Sequence, residues 1–153
     1  MSQKKLISII VNCHNGQKYL EGCINSILEQ TYKNWELVFF DNFSTDKSKK
    51  ILKNYTDKRI KYFKSKKYLT LYKARNIAIK KAKGKYIAFL DTDDWWYKTK
   101  LEEQIKFLKK NKKYQMVFTN FYVYFQNINK FKKRYSSLPL GLITQKLLNN
   151  YSI

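Results

Sequence analysis

Three carboxylates lie close together directly after an apolar run in the middle of the chain. The run covers residues 86–90, and Asp91, Asp93 and Asp94 follow it. Carboxylates crowded at a strand end repel one another and lose hydration, so their clustering needs a stabilising partner. A divalent cation that bridges to a phosphate is such a partner, because Mg²⁺ and Mn²⁺ prefer hard oxygen ligands and share them with substrate phosphates. The alternative is a solvated turn in which Asp94 caps the following helix.

The apolar pattern predicts which elements position these carboxylates. Runs rich in β-branched and aromatic residues are typical of strands, and amphipathic segments between them are typical of helices. The predicted strands are 6–11, 35–40 and 86–90, which we expect to be buried, and a short strand at 60–63; the predicted helices are 18–30, 47–55, 71–83 and 98–110. We expect Gly84 to end the third helix, and Ser44, Thr45 or Asp46 to cap the second. This alternation predicts an α/β fold, a Rossmann-like, mostly parallel sheet with helices on both faces and right-handed crossovers.

Polar residues follow three of the four predicted strands. Asn12 and His14 follow the first, Asp41 follows the second, and the carboxylates of residues 91–94 follow the fourth. In open parallel sheets, ligands bind beyond the carboxyl ends of the strands. We therefore expect these side chains to converge on one crevice, which favours a nucleotide site.

Length and charge limit the possible classes of protein. A chain of 153 residues is about one domain, and its 44% hydrophobic content argues against disorder. The formal net charge is +21, from 32 Lys and Arg against 11 Asp and Glu. Such a charge favours polyanions: anionic lipid, nucleic acid or a phosphate-bearing substrate. Because the lysines are spread along the chain, we favour a generally basic surface and expect no specific nucleic-acid binding.

Targeting signals are absent from the sequence as it is printed. No apolar run approaches the ~20 residues of a membrane span, and the N-terminal run lacks a small-residue cleavage site. We therefore expect a cytoplasmic protein. Cys13 and Cys23 form no CxxC motif or disulfide framework, so both are expected to be reduced thiols.

Several segments together resemble the N-terminal part of a bacterial family 2 glycosyltransferase with the GT-A fold. They are ISIIVNCHNGQKYLEGCINSILEQTY, WELVFFDNFSTD, KARNIAIKKAKGKYIAFLDTDD and WWYKTKLEEQI, in the family's order from residue 7 to about 110. The segment LPLGLITQKLLNNYSI is similar to a later family stretch, more weakly. The resemblance implies transfer of a sugar from a nucleotide-diphosphate donor, commonly a UDP-sugar, to an acceptor hydroxyl, with inversion at the anomeric carbon. It also implies a glycan or lipid-linked acceptor in surface polysaccharide synthesis, with peripheral association at the inner face of an anionic plasma membrane.

The resemblance implies roles at the base of the nucleotide. Asn12 and His14 occupy first-loop positions that approach the base, and Asp41 matches the acid that hydrogen-bonds it. The next family acid is replaced by Asn42, which weakens this part of the match. Structural alternatives remain open, since Asn12 is also a common turn residue, a lone histidine is often structural, and Asp41 could cap or pair with a lysine.

The resemblance also implies roles at the diphosphate. Arg75 matches a basic residue near the donor, although it could be one more surface cation. Asp91 and Asp93 match the DxD motif, which would hold the ribose and the Mn²⁺ or Mg²⁺ that binds the diphosphate. Asp94 is assigned less firmly.

Aromatic residues near the motif have plain structural interpretations. Trp95 and Trp96 could stack on a sugar, but we expect that at least one anchors the next helix to the sheet. The Phe and Tyr residues of the segment 116–125 are expected to lie in the core.

A catalytic base for the acceptor is not identified. After Asp94 the acids are Glu102 and Glu103, both within the predicted fourth helix. Inverting transfer needs a base within hydrogen-bond reach of the acceptor hydroxyl. We therefore expect residues 1–153 to form a single family 2 domain that is truncated before the acceptor and catalytic-base region. A catalytically incomplete donor-binding fragment stays open as an alternative.

Two other classes remain. A basic nucleic-acid-binding module is suggested by segments such as KYFKSKKYLTLYK, and it predicts salt-sensitive binding that is indifferent to Mn²⁺. A sugar nucleotidyltransferase should carry a glycine-rich phosphate loop with an arginine after the first strand. The segment NCHNGQKYL has one glycine and no arginine, which argues against this class.

Overall fold

The computed structural model describes residues 5–134 of the chain. The elements, in order, are β1 (Ile7–Cys13), α1 (Leu20–Leu28), β2 (Trp35–Asp41), α2 (Ser48–Lys53), β3 (Ile60–Lys64), α3 (Leu71–Ile79), β4 (Tyr86–Phe89), α4 (Lys100–Lys110), β5 (Tyr122–Phe125) and β6 (Lys130–Lys133). The chain divides into two compact units, Met1–Lys106 and Phe107–Ile153. The predicted alternation of strands and helices is confirmed up to α4.

The first unit contains a four-stranded parallel sheet in the order β3-β2-β1-β4. In the register of the central pair, Ile7 lies opposite Trp35 and Cys13 lies opposite Asp41, so β1 and β2 end together. The continuous apolar sequence of β1 reflects burial on both faces, since Ile9, Ile10 and Val11 are at most 1% exposed.

Helices cover both faces of this sheet, as predicted. The odd-numbered residues of β1 and β2 pack in one cluster with α1, α2 and α4, through residues such as Ile24, Leu52 and Leu101. The alternate residues Ile10, Val38 and Phe40 pack with Ala74 and Ala78 of α3. The small side chains on α3 let that helix lie close to the sheet.

Strand β4 differs from the prediction of a buried strand. Among the described strands it pairs with β1 alone, so it is an edge. Its side chains alternate, and Ile87 and Phe89 are 42% and 46% exposed. The prediction of a buried strand is therefore wrong for these side chains, because an apolar run does not reveal whether a neighbouring strand or helix covers its outer face.

The predicted end of the third helix is also wrong. Helix α3 ends at Ile79, and Gly84 follows it in a separate turn. A Cβ on Gly84 would lie 2.5 Å from the Ser8 backbone nitrogen, so this glycine is needed for close packing rather than for a helix cap. The Gly84 N–H donates to Ser8 Oγ at 2.7 Å, and the Lys83 N–H donates to buried Glu36 Oε1 at 2.7 Å.

The described part of the second unit includes an antiparallel hairpin of β5 and β6. Tyr124 stacks on Phe131 across the strands with ring centroids 4.7 Å apart. The expectation that the aromatic residues of 116–125 are core is not met, because Phe121, Tyr122 and Phe125 are between 41% and 50% exposed. Within residues 5–134 no third strand pairs with this two-stranded sheet, and such a sheet alone buries little. Within residues 5–134, no helix is long and apolar enough to cross a membrane.

Candidate functional site

The carboxyl ends of β1, β2 and β4 meet at one edge of the sheet. Asn12 pairs with Phe40 in the register of β1 and β2, and the Thr92 hydroxyl donates to the Asn12 carbonyl at 2.8 Å. Gly16 permits this approach, since a Cβ there would lie 2.5 Å from Thr92 Cγ2. The structure thus brings the first loop against the segment that carries the DxD motif.

Asp41 is a buried carboxylate at the end of β2, and it is only 1% exposed. The Tyr62 hydroxyl donates to its Oδ2 at 2.7 Å, and the Ser44 backbone N–H donates to its Oδ1 at 2.7 Å. Burial and the hydrogen bond to Asp41 raise the pKa of Tyr62 well above its usual range, so this phenol stays a donor. Each oxygen keeps further acceptor capacity, because a carboxylate has about four lone-pair sites.

His14 lies beside Asn42, the residue that follows Asp41. Its Nδ1 is 3.0 Å from the Asn42 carbonyl oxygen, and its ring meets the Tyr68 ring edge-on at 4.7 Å. The Asn42 side chain donates to the Leu69 carbonyl at 2.8 Å and accepts from the Leu69 N–H at 3.0 Å. Asn42, a departure from the family pattern, therefore fastens the loop after β3 to the loop after β2, and its carbonyl oxygen lies against His14 of the first loop.

Tyr68 is a candidate that the sequence did not reveal. It is 60% exposed and contacts the His14 ring, so its aromatic face is available next to a predicted site residue. The signal in the sequence was only an aromatic residue within the lysine-rich loop 64–70.

Asn12 carries an unsatisfied amide. Both its Oδ1 and its Nδ2 are shielded from solvent, and neither has a hydrogen-bond partner among the described residues. Buried polar atoms without partners are rare in folded proteins, because each costs the desolvation of a polar group. This amide is suited to a polar ligand that both donates and accepts hydrogen bonds.

Asp91, which follows β4, forms an ion pair with Arg75 of α3. Strand β4 is the neighbour of β1, the strand that carries Asn12. Arg75 Nη2 donates to Asp91 Oδ1 at 2.8 Å, and its guanidinium lies 5.2 Å from the centre of the Phe89 ring. The buried Arg75 Nε has no partner among the described residues. The pair places one cation directly next to the motif's first carboxylate.

The rest of the motif is a tight turn of like charges. The Asp94 N–H donates to the Asp91 carbonyl at 3.1 Å, and burial together with the charges of Asp93 and Asp91 raises the pKa of Asp94. Asp93 is exposed and takes no hydrogen bond or ion pair from residues 5–134. No group of three or more His, Cys, Asp or Glu in that range could hold a metal ion alone. Two carboxylates completed by substrate phosphates and water nevertheless fit Mg²⁺ or Mn²⁺.

The loop after β1 and the loop after β2 are joined by hydrogen bonds. Asn15 Oδ1 accepts from the Thr45 N–H at 2.9 Å, and the Asn15 N–H donates to Ser44 Oγ at 3.0 Å. Asp46 accepts from the Gln17 N–H and the Ser48 N–H, both at 2.9 Å. None of the three predicted capping candidates occupies the N-cap position of α2, which is Lys47, but the Asp46 side chain does accept from the first N–H of that helix.

The segment after the motif is held by a residue that sequence reasoning missed. Gln30 is fully buried, donates to the Tyr97 carbonyl at 2.9 Å and accepts from the Leu101 N–H at 3.1 Å. Gln30 therefore caps α4, and the alternative in which Asp94 does so is wrong, because α4 begins only at Lys100. Trp96 is half-buried and packs against the larger core cluster, which confirms that one of the two tryptophans is an anchor.

Both thiols are free, as expected. Cys13 and Cys23 are buried, and the Cys23 Sγ donates to the Asp91 carbonyl at 3.7 Å. Burial and neighbouring negative groups raise the pKa of Cys23 to about 12, so it stays protonated and unreactive.

Comparison with known proteins adds to this geometry. A family model described as "Glycosyl transferase family 2" matches residues 8–152. The chain is 39% identical over 107 residues to the putative teichuronic acid biosynthesis glycosyltransferase TuaG of Bacillus subtilis (strain 168), covering 69% of this chain and 42% of TuaG. It is 40% identical over 119 residues to the UDP-Glc:alpha-D-GlcNAc-diphosphoundecaprenol beta-1,3-glucosyltransferase WfaP of Escherichia coli, covering 78% of this chain and 47% of WfaP. The chain thus spans less than half the length of these curated relatives.

A solved structure agrees on the fold. The S. aureus TarS fragment 1-349 in complex with UDP-GlcNAc superposes with a TM-score of 0.65 at 29% identity, covering 69% of this chain and 32% of that chain. The predicted GT-A type of sheet, mostly parallel with flanking helices, is thereby confirmed.

Proposed function

The chain belongs to glycosyl transferase family 2, and on that premise we propose that it binds a nucleotide-diphosphate sugar, a UDP-sugar, at the carboxyl edge of β1, β2 and β4. The observation that carries the proposal is the meeting of three strand ends at one edge, with Asp41, the unsatisfied amide of Asn12 and the Arg75–Asp91 pair. The name of WfaP states a UDP-Glc donor, and TarS was solved with UDP-GlcNAc, which supports a uridine nucleotide.

The nucleoside would bind on the side of β1 and β2. Asp41 is buried and keeps acceptor capacity toward an N–H of the base, while the Asn12 amide offers one donor and one acceptor. His14 and Tyr68 would contact the base or ribose from the neighbouring loops. Desolvated polar groups of this kind discriminate strongly, because a wrong base would leave them unpaired.

The diphosphate would bind on the side of β4. Asp93 and Asp91 would hold Mn²⁺ or Mg²⁺, and Arg75 orients Asp91 through their 2.8 Å ion pair. When bound, the cation supplies positive charge that neutralises the departing nucleoside diphosphate. Burial, and then the charges of Asp93 and Asp91, raise the pKa of Asp94, and a cation bound in this turn would offset the second of these two causes.

The proposed reaction is an inverting transfer to a glycan or lipid-linked acceptor in surface polysaccharide synthesis. The acceptor oxygen would form a bond to the anomeric carbon as the bond from that carbon to the diphosphate oxygen breaks, and the acceptor proton would pass to a base. Glu102 is not suited as that base, because it accepts from the Thr31 hydroxyl at 2.8 Å and pairs with Lys106. We propose that residues 5–106 form the donor half of the site. The alternative is a chain that binds the donor but does not complete the transfer.

The proposed place of action is the cytoplasmic face of an anionic plasma membrane. The name of WfaP includes a diphosphoundecaprenol acceptor, which is a lipid-linked substrate. A net charge of +21 would attract the chain to anionic lipid.

The test is calorimetric titration of UDP into the chain with Mn²⁺ and with EDTA, using Asp93→Asn and the matched variant Glu103→Gln. Both variants remove one negative charge, but Glu103 lies on α4 outside the motif. We expect Mn²⁺-dependent binding that Asp93→Asn weakens at least tenfold and Glu103→Gln leaves unchanged. Binding that is equal in Mn²⁺ and EDTA would contradict the metal role. Binding of an oligonucleotide without any UDP binding would instead favour the nucleic-acid-binding class.

A further inference from the structure

The described part of the second unit combines a strongly basic sequence with exposed apolar side chains. Residues 107–134 contain no Asp or Glu, whereas their basic residues are Lys109, Lys110, Lys112, Lys113, Lys130, Lys132, Lys133 and Arg134. Half of these lie in or directly after β6. All four residues of β6 are exposed, including Phe131 at 57%.

The register of the hairpin mixes lysine and aromatic side chains on both faces. Phe125 lies opposite Lys130, and Tyr122 lies opposite Lys133. Side chains two residues apart share a face of a strand, so each face of the hairpin carries at least one aromatic ring and at least one lysine. Such a surface can contact an apolar and an anionic medium at the same time.

The turn between the strands presents an apolar residue at its tip. Ile128 is 56% exposed, and its turn neighbours Gln126, Asn127 and Asn129 carry no charge. Asn129 adopts a left-handed φ of 50° and accepts a hydrogen bond from the Tyr124 hydroxyl at 2.8 Å. The turn is therefore a fixed structure, and an exposed isoleucine in it is not explained by the packing of the hairpin itself.

We propose that the β5–β6 hairpin is a docking surface for an anionic lipid bilayer. Ile128 and the adjacent Phe125 enter the headgroup boundary, while Lys130, Lys132 and Lys133 bind lipid phosphates around them. Membrane-surface segments characteristically combine a basic face with apolar residues, since either signal alone gives weak binding. This inference deepens the proposed membrane association and is independent of the donor site.

Charge and shape favour a bilayer over other occupants. A second copy of the chain that docked through the same hairpin would bring another basic surface without acidic residues against this one, so like charges would repel. Single-stranded nucleic acid binds through aromatic faces on which bases stack, and an aliphatic residue at the tip has no role in that mode. An aliphatic tip surrounded by lysines is instead suited to the boundary between headgroups and acyl chains.

The test is co-sedimentation of the full chain with vesicles of equal parts phosphatidylcholine and phosphatidylglycerol, and with vesicles of phosphatidylcholine alone. The hairpin variant is K130Q/K132Q/K133Q, and the matched control K47Q/K50Q/K53Q removes three exposed lysines around α2. At about 1 kcal/mol for each lysine, the hairpin variant should lose roughly a hundredfold in affinity, whereas the control should lose much less. Ile128→Asn should lose roughly tenfold and Ile128→Leu should keep wild-type binding.

Three results would overturn the inference: equal loss in the two triple variants, no binding to anionic vesicles, or identical affinity of the Ile128 variants. Loss of oligonucleotide binding with unchanged vesicle binding in the hairpin variant would also overturn it in favour of nucleic acid. UDP titration of the hairpin variant in Mn²⁺ separates this inference from the donor-site proposal, because no hairpin residue is among those assigned to that site.

Discussion

Replacing Gln30 by methionine tests how the segment after the DxD motif is held in place. Gln30 is completely buried and makes three hydrogen bonds, to Ser26 O at 3.0 Å, to Tyr97 O at 2.9 Å and from Leu101 N at 3.1 Å. Methionine has a similar length and flexibility but offers no comparable hydrogen bonds. The variant therefore removes the polar contacts while it keeps most of the packing.

The size of the effect follows from which partners are left unpaired. The Leu101 N–H lies in the first turn of α4, where a helix supplies no acceptor, and its loss of a buried partner costs about 1–3 kcal/mol. The two carbonyls cost about 0.5–1 kcal/mol each, and the more apolar side chain offsets about 1 kcal/mol. We expect a net loss of about 1–4 kcal/mol, centred near about 2.5 kcal/mol, in the free energy of unfolding.

Urea unfolding followed by tryptophan fluorescence measures this loss, since Trp35 is buried and Trp96 packs on the core beside it. With a typical urea dependence, the midpoint should fall by about 1–2 M. Thr31→Val is the matched control, because its exposed hydroxyl also contacts the start of α4, through Glu102, and should matter by only about 0.5 kcal/mol. A Gln30→Met chain within about 0.5 kcal/mol of this control would refute the reasoning, because it would mean that the three bonds are replaced without cost.

Three further predictions concern packing, charge and the buried acid. Gly84→Ala should destabilise the chain by more than about 2 kcal/mol, because its Cβ would lie 2.5 Å from a backbone nitrogen. Gly22→Ala, on helix α1 with nothing within 4 Å of the added Cβ, should stabilise the chain by about 1 kcal/mol. Urea unfolding of both variants checks these opposite signs. Lys100→Met should raise the thermal midpoint at pH 7, because burial lowers the pKa of Lys100 from 10.5 to about 8 and the charged form is disfavoured in the folded state. That advantage should shrink as the pH rises from about 8 to 10.5, and a midpoint difference that does not change with pH would contradict it. Tyr62→Phe removes the hydroxyl donor of buried Asp41 and should cost about 1–3 kcal/mol in urea unfolding, and an unchanged stability would show that this bond is replaced by water.

The order of the elements could be predicted because burial produces a characteristic pattern of apolar residues in the sequence. Strand β1 is covered on both faces, so its sequence is continuously apolar. Helix α1 places Leu20, Ile24 and Ile27 on one face, which is the helical spacing. The convergence of the strand ends could be predicted from topology alone, since neighbouring parallel strands end at a common edge of the sheet.

Contacts between distant polar residues could not be predicted. Gln30 bonds residues about 70 positions away, and Glu36 bonds the Lys83 N–H, 47 positions away. In the sequence both are ordinary polar residues within or beside regular elements, and no periodicity marks their partners. The same holds for Tyr62, whose bond to Asp41 depends on the pairing of β2 with β3.

Side chains at the margins of the sheet were misjudged for a related reason. The exposed residues Ile87 and Phe89 are as apolar as those of central strands, and their exposure depends only on where β4 lies in the sheet. At the candidate site, Asn42 in place of the family's second acid predicts weaker base recognition, and nothing in the sequence indicates that its amide also fastens the loop that carries Tyr68. An amide can serve both backbone groups of Leu69, which a carboxylate cannot do.

The fastening of the first loop to the loop after β2 has a thermodynamic consequence for binding. Side chains of Asn15, Gln17 and Asp46 bond the opposite backbone at distances of 2.9 to 3.0 Å, so both loops are ordered before any ligand arrives. A nucleoside that binds there would immobilise little additional chain and would lose little conformational entropy. Asp93 has no such support among residues 5–134, so the ordering that accompanies binding should be concentrated at the diphosphate, and the temperature dependence of affinity should differ between uridine and UDP.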